Sequence, residues 1–344
     1  MREKNLSEFQ PDGHPSVQYG KTGVLLISLG TPEAPTYKSV RKYLAEFLSD
    51  QRVIETPRLL WLPILYGPIL TFRPLKSAKA YAKVWDYENG ESPLRGFARA
   101  QAEKMQTRLG ESASVAWAFR YGSPSVADGL AELREKGCDR IVAFALYPQY
   151  SATSMATAYD KVFDVLKTMR WQPAVRTAPP YYDKPIFIEK LVNSVKESLS
   201  TIDWQPEKLL ASYHSIPKSY YDAGDPYPCQ CLKTSRLLRT HLNMPEETFV
   251  TSFQSRVGPT EWVSPYTDKT VEKLAAEGVK KLAVIAPAFS ADCLETLEEI
   301  NMELRETFLH AGGTHFHYIP CLNDTPDGMD VLEDVVRTEG AGWL

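Results

Sequence analysis

Short, apolar runs alternate along the chain with longer amphipathic segments. GVLLISLG (23–30), SVAWAFR (114–120), RIVAFALYP (140–148), KLLASYH (208–214), TFVTSFQS (248–255) and KLAVIAPAFS (281–290) have strand length. They are the near-continuous apolar runs of strands covered on both faces. SVRKYLAEFLSD (39–50), SVADGLAELREKG (125–137) and YTDKTVEKLAAEGV (266–279) have helical spacing instead. Strand and helix taking turns predict an α/β fold with parallel sheets wound on both faces. THFHYIP (314–320) reads as a half-exposed edge strand with His315 and His317 on one face.

The pattern repeats within the chain. GVLLISLGTP (23–32) lies over KLLASYHSIP (208–217), which puts Pro32 on Pro217 and Leu29 on His214. LREKGCDRIVAFAL (133–146) lies over LAAEGVKKLAVIAP (274–287), which puts Gly137 on Gly278, each where a helix ends in a left-handed residue. Two similar halves follow, with a boundary near the proline-rich TAPPYYDKP (177–185). The expected division is a loose arm over 1–20, a first Rossmann-like domain over 21–180, a second over 181–320 and a C-terminal helix over 321–344. Ligands in such folds sit beyond the carboxyl ends of the strands. Leu29 and His214 stand at such ends and are expected to face one cleft.

Composition narrows the class. The 344 residues are 43% hydrophobic and 24% charged, with net charge -4, which is ordinary for a soluble protein and gives no field for nucleic acid. The polar start, MREKNLSEFQPDGHPS, lacks the apolar stretch of a secretory signal. Five scattered cysteines suit a reducing cytoplasm and no disulfide framework. Cys229 and Cys231 have the wrong spacing for a zinc knuckle. GKTG (20–23) precedes a strand where a phosphate loop would follow one, and no GxGxxG is present. The greasiest run, LLWLPILYGPILTF (59–72), is too short to span a bilayer. It is either buried, or an exposed lip for a flat apolar ligand or a membrane surface.

Candidate chemistry gathers at two places. His214 ends a strand and enters HSIPKSYYDAGDPYPCQC (214–231), whose GDPYP is expected to be its stiff holder. In FSADCLETLEEINMEL (289–304), Asp292 and Glu295 have the spacing of a helix cap, with the aspartate accepting early backbone N–H groups. Glu295, Glu299 and Glu303 also recur every four residues, a row that repels itself unless solvated or facing cations. A histidine and a carboxylate in one cleft make a proton-transfer or metal-handling pair. Arg120 ends a buried strand, where it either meets a ligand carboxylate or forms a structural ion pair.

Six motifs in order, LISLGTPE (26–33), AFRYGSPS (118–125), YPQYSATS (147–154), HSIPKSYYDAGDPYPCQC, FQSRVGPTEW (253–262) and FSADCLETLEEI (289–300), resemble the ferrochelatases. That resemblance implies two Rossmann-like domains, each with a doubly wound parallel sheet, related by a pseudo-twofold axis. It implies insertion of ferrous iron into protoporphyrin IX, with a distorted ring held in the interdomain cleft. His214 and Glu295 would handle pyrrole protons and metal, with Asp292, Glu299 and Glu303 as a metal path. Arg73, Tyr81, Ser92 and Arg120 would hold the propionates. Tyr147, Val257, Trp262 and Phe289 would line the pocket, and 59–72 would form its lip, with peripheral contact to the inner membrane of a cytoplasmic enzyme. Leu29 replaces the tyrosine of the coproporphyrin branch, which favours protoporphyrin. Cys293 stands where animal enzymes have a histidine. Ala152 stands at a cluster-cysteine position of those enzymes, so no iron–sulfur cluster or other prosthetic group is expected. Monomer and homodimer both stay open. So do a chelatase for coproporphyrin III or cobalt, and a non-catalytic haem or metal carrier.

Overall fold

The computed structural model describes residues 13–14 and 18–344; most of the arm expected over 1–20 lies outside the described residues. The first half runs β1 (Lys21–Gly30), α1 (Tyr37–Leu48), α2 (Arg58–Ile64), α3 (Leu70–Val84), α4 (Pro93–Leu109), β2 (Ser114–Tyr121), α5 (Val126–Glu135), β3 (Cys138–Ala145), α6 (Thr157–Thr168) and β4 (Ala174–Thr177). The second runs α7 (Pro185–Ser200), β5 (Lys208–His214), α8 (Lys218–Asp222), α9 (Tyr227–His241), β6 (Phe249–Gln254), α10 (Thr267–Ala276), β7 (Lys281–Ile285), α11 (Arg305–His310), β8 (His315–Ile319) and α12 (Pro326–Glu339).

The two halves share one topology. One parallel sheet has the order β2-β1-β3-β4, and the other β6-β5-β7-β8. The first strand of each half is central, so both its faces must be apolar. In β1, Leu25 and Ile27 pack under α5 and α6, while Val24 and Leu26 point to the other side. In β5, Leu210 packs under α10 and α11, while Leu209, Ala211 and Tyr213 face back toward the first half. The inward faces of both sheets, with residues of α4, α7, α9 and α12, form one continuous core. That shared layer holds the two strand ends in a fixed relation.

A further match lies after the second strand of each half. The Phe119 amide donates to Pro124 O (2.7 Å), and the Phe253 amide to Pro265 O (2.8 Å). Both Ser–Pro bonds, 123–124 and 264–265, are cis. The second half makes the same return with a longer loop, 255–265. The apolar run 59–72 comprises α2, a π turn at Leu65–Ile69 and the start of α3. It is an exposed lip and not a buried loop: Leu59 is 90% and Phe72 69% exposed, while Leu65 and Leu70 are fully buried anchors. Among the described residues no helix is long and apolar enough to cross a membrane.

Candidate functional site

His214 is the last residue of β5 and pairs in register with Gln254, the last of β6. Its Nδ1 lies 2.6 Å from the Ser215 carbonyl oxygen. A carbonyl only accepts, so Nδ1 carries the proton and Nε2 keeps its lone pair. Burial pulls the imidazole below its usual titration range, against the opposing pulls of the Glu295 carboxylate and the Ser215 carbonyl. His214 is therefore neutral near neutrality. The Glu295 carboxylate is near enough for its charge to act on the imidazole.

The holder of His214 differs from expectation. Ser215–Lys218 pairs with the loop after β6: Val263 N donates to Ile216 O (3.0 Å), Lys218 N to Glu261 O (2.9 Å) and Ser215 Oγ to Val263 O (2.8 Å). GDPYP instead starts α9 and ties the halves together. Asp225 accepts from the Tyr227 amide (3.0 Å), the Ala152 amide (2.8 Å) and Ser151 Oγ (2.9 Å). Short range in sequence suggested GDPYP; a carboxylate that satisfies two donors across the interface, besides the Tyr227 amide, decides otherwise.

Glu295 opens a π-helical stretch, Glu295–Leu304. Such wider turns are common at functional sites, and Glu299 lies within reach of the charge on Glu295, four residues earlier. Burial first, and the charge of Glu295 second, push Glu299 up to about 7, against the hydroxyl of Ser255, which hydrogen-bonds its Oε2. Ser255 has φ +67°, a left-handed conformation held in place by these contacts. Glu303 is exposed, so the row runs from the interior to solvent. Glu298, on another side, is buried and accepts from Lys83 at 2.5 Å.

Asp292 does not cap the backbone. Its carboxylate accepts from Tyr318 Oη (2.6 Å), Thr296 Oγ1 (2.8 Å) and Asn323 Nδ2 (2.7 Å), and it is 4% exposed. Three buried donors outcompete amides that Thr296 Oγ1 and neighbouring carbonyls already satisfy, as in the Cys293 N–H to Thr296 Oγ1 bond (3.0 Å). Asp292 is thus a buried strut, separate from the row of glutamates.

The residues expected at propionates part company. Ser92 is 1% exposed, and its hydroxyl caps α4 by accepting from the Arg95 amide (3.3 Å). Arg120 is in a buried ion pair with Asp50, its Nε bonded to Thr157 Oγ1 (2.7 Å) and Thr157 O (3.0 Å). Its fork is committed, as the ion-pair reading of the sequence had it. Arg73, on the lip helix α3, makes no hydrogen bond or ion pair among the described residues. Burial lowers its titration range, and the charges of Glu299 and Glu295 oppose that. Tyr81 is buried close to Glu295 and Cys293; burial mainly, then those charges, raise its phenol far up. Tyr147 Oη is buried without a hydrogen-bond partner among the described residues. Leu29 and Phe289 are half-buried at the strand ends. Val257 is 48% exposed, and its carbonyl accepts from Trp262 Nε1 at 2.9 Å.

Sequence reasoning missed Gln254, Ser255 and Tyr43. Tyr43 Oη donates to Gly30 O (3.2 Å), and its raised phenol reflects burial first, then Tyr81 and Glu295. The only available signal was FQS at the end of a strand that neighbours the histidine strand. The cysteines form no centre. Cys229 is exposed and Cys231 buried, on different sides of α9. Among the described residues no three His, Cys, Asp or Glu side chains gather as a preformed metal cage. His317 Nε2 lies 2.8 Å from Ser198 Oγ, and the His315 ring lies tilted against Trp204 with centroids 5.2 Å apart, on the edge strand.

Solved structures share the fold. SirB from Bacillus subtilis with Fe3+ matches with TM-score 0.57 and 12% identity, covering 94% of this chain and 97% of that one. The sirohydrochlorin chelatase SirB from Bacillus subtilis subspecies spizizenii in complex with cobalt matches at TM-score 0.55 and 11% identity, again covering 94% and 97%. At such identity the likeness speaks for the two-domain chelatase fold alone. Sequence relatives are much nearer. A ferrochelatase of Agrobacterium fabrum (strain C58 / ATCC 33970) is 56% identical over 336 residues, 97% of this chain and 98% of the relative. One from Rhizobium meliloti (strain 1021) is 55% identical over 333 residues, covering 96% and 98%. The ferrochelatase family model matches residues 21–340. The chain belongs to the ferrochelatase family.

Proposed function

We propose that the protein inserts Fe2+ into protoporphyrin IX to form protohaem, the terminal step of haem synthesis, in the cleft between its halves. The observation that carries this reading is the meeting of a neutral, Nε2-open His214 with Glu295 at the strand ends. Insertion releases two pyrrole protons as the iron enters. A base for the first must be unprotonated at working pH, and half-buried His214, its imidazole held below the usual range, meets that need. Glu299, half-ionised near neutrality, passes protons between Glu295 and the solvent-facing Glu303. A flat macrocycle hides its nitrogen lone pairs in the ring plane, so catalysis needs a site that favours a buckled ring. Leu29, Tyr147, Phe289 and Trp262 supply walls of low polarity for it. Arg73 is the cation for a propionate, since Arg120 is already paired. Leu29, in place of tyrosine, favours protoporphyrin over coproporphyrin.

The test is a metallation assay that follows loss of porphyrin fluorescence with Fe2+ or Zn2+ under anaerobic conditions. Turnover with protoporphyrin IX exceeding that with coproporphyrin III is expected. Tight haem retention without turnover would replace this reading with a carrier.

A further inference from the structure

His214 and Glu295 lie on separate segments, β5 and the π stretch after β7, so something must set their relative position. One residue touches the holders of both, with its side chain on one and its backbone on the other. Gln254 ends β6, is 7% exposed and pairs in register with His214. Its Nε2 donates to the Glu295 carbonyl at 2.9 Å. Its backbone carbonyl accepts from the Ser215 amide at 2.8 Å, and Ser215 is the residue whose own carbonyl orients the imidazole. The next residue, Ser255, hydrogen-bonds Glu299. Two consecutive residues therefore bond to the supports of all three groups.

The amide orientation is itself determined. Gln254 Oε1 accepts from Ser212 Oγ at 2.6 Å. Ser212 Oγ also lies 3.0 Å from Thr267 Oγ1, which lies 2.8 Å from Ser252 Oγ. All three hydroxyl residues are buried. The Glu295 carbonyl can only accept, so the amide NH2 must face it, and Oε1 is left to take the Ser212 hydroxyl proton; a buried network of this kind is rigid when every member is satisfied.

The equivalent place in the first half shows what the residue type adds. Phe119 and Phe253 make the same return contact, so Arg120 corresponds to Gln254. Arg120 likewise bonds a backbone carbonyl at the helix start after the third strand, that of Thr157. The clamp is common to both halves. A cation in it at position 254 would pair with the glutamates beside it. A neutral amide holds the backbone and leaves their charge available.

We infer that Gln254 is a positioning residue for metal insertion, fixing the Glu295 segment against His214 without neutralising the carboxylates. This rests on the chelatase reading above. The test compares wild type with Gln254→Leu, which keeps an apolar filler at the position, one atom shorter, and removes the amide. Expected are a fall in kcat of about tenfold or more and a porphyrin KM changed less than about twofold, because misplaced groups slow chemistry without removing the walls that bind the ring. Gln254→Glu should lose as much above pH 7, where its carboxylate faces the Glu295 carbonyl. It should recover as the pH falls and that carboxyl becomes a donor. Ser212→Ala, a milder change that frees the amide to turn, should lower kcat in the same sense by about threefold. It also serves if Gln254→Leu does not fold, since an unchanged kcat in Ser212→Ala would then overturn the inference. Wild-type kcat in folded Gln254→Leu would overturn it too, as would a rise in KM alone. An inactive wild type would instead fail the chelatase reading and is seen in the same assay.

Discussion

The two halves share a frame and differ in what stands at equivalent places. Where the second half has His214, the first has Leu29. YSATSMATAYD (150–160) lies over FSADCLETLEE (289–299), with Ser151 on Ser290, Ala152 on Ala291 and the fully buried Thr157 on Thr296. This puts Ala156 on Glu295 and Asp160 on Glu299. Asp160 is neutralised by Arg52 at 2.7 Å, whereas half-buried Glu299 is pushed up to about 7. Arg120 is neutralised by Asp50, whereas its counterpart Gln254 carries no charge. At these equivalent places the first half closes its charges into pairs, and the second leaves a titratable carboxyl at Glu299 and a neutral amide at Gln254. The first half also spends residues 31–113 between its first two strands, where the second uses 215–248. That longer segment carries the lip. On the proposed function, one half would build walls and the other would perform proton chemistry.

The largest expected effect breaks the comparison at its centre. His214→Ala should lower metallation about 10³-fold, since a positioned base contributes about 10²–10⁴. Leu29→Ala should cost less than about tenfold. Porphyrin fluorescence with Zn2+ reads both; equal losses would mean that the halves do not divide the labour. Next is the closed pair of the first half. Asp50→Ala strands Arg120, whose side chain is only 13% exposed. It should lower stability by about 3–4 kcal/mol in urea melts while leaving turnover per folded molecule near wild type. Lost turnover at unchanged stability would make Arg120 part of the site.

The third effect is a stability that depends on pH. Glu299 binds its proton more tightly folded than unfolded, about 7 against an ordinary 4.5. Stability is therefore complete below about 4.5 and falls as pH rises through about 7. Glu299→Gln removes that loss and should be more stable than wild type by about 3 kcal/mol at pH 8.5, with little difference at pH 4.5. Urea midpoints at the two pH values check this. A difference independent of pH would place the cost in packing and not in charge.

Much of this was legible in the chain. Buried parallel strands leave apolar runs, so the β1 and β5 duplication, the His214 strand end and the two halves could be read directly. Glu295 and Glu299 were visible as a row, but the π turn that carries them is a backbone choice with no residue signature. Arg120 was ambiguous because its partner, Asp50, is 70 residues away and in no shared motif. Asp292 was misread for the same reason: its donors Tyr318 and Asn323 arrive from β8 and the turn beyond it. Gln254 looks like any polar strand end until β5 and the helix after β7 are brought against it. Periodicity reports which face is buried, and long-range polar partners leave no period.

The smallest effect sharpens the account of the first half's added segment. Leu59, Leu60 and Phe72 are 90%, 64% and 69% exposed, so little apolar area is withdrawn from water there on folding. Leu59→Ser combined with Leu60→Ser should therefore change stability by no more than about 0.5 kcal/mol. The segment is held by Leu65 and Leu70 instead, which join Val40, Leu44 and Trp85 in a small core of its own. An unchanged urea midpoint, with a higher KM for porphyrin, would mark the exposed side chains as a wall that serves the ligand. A midpoint lowered by several kcal/mol would mean that these residues are core, and that the first half needs its longer segment to fold and not only to enclose.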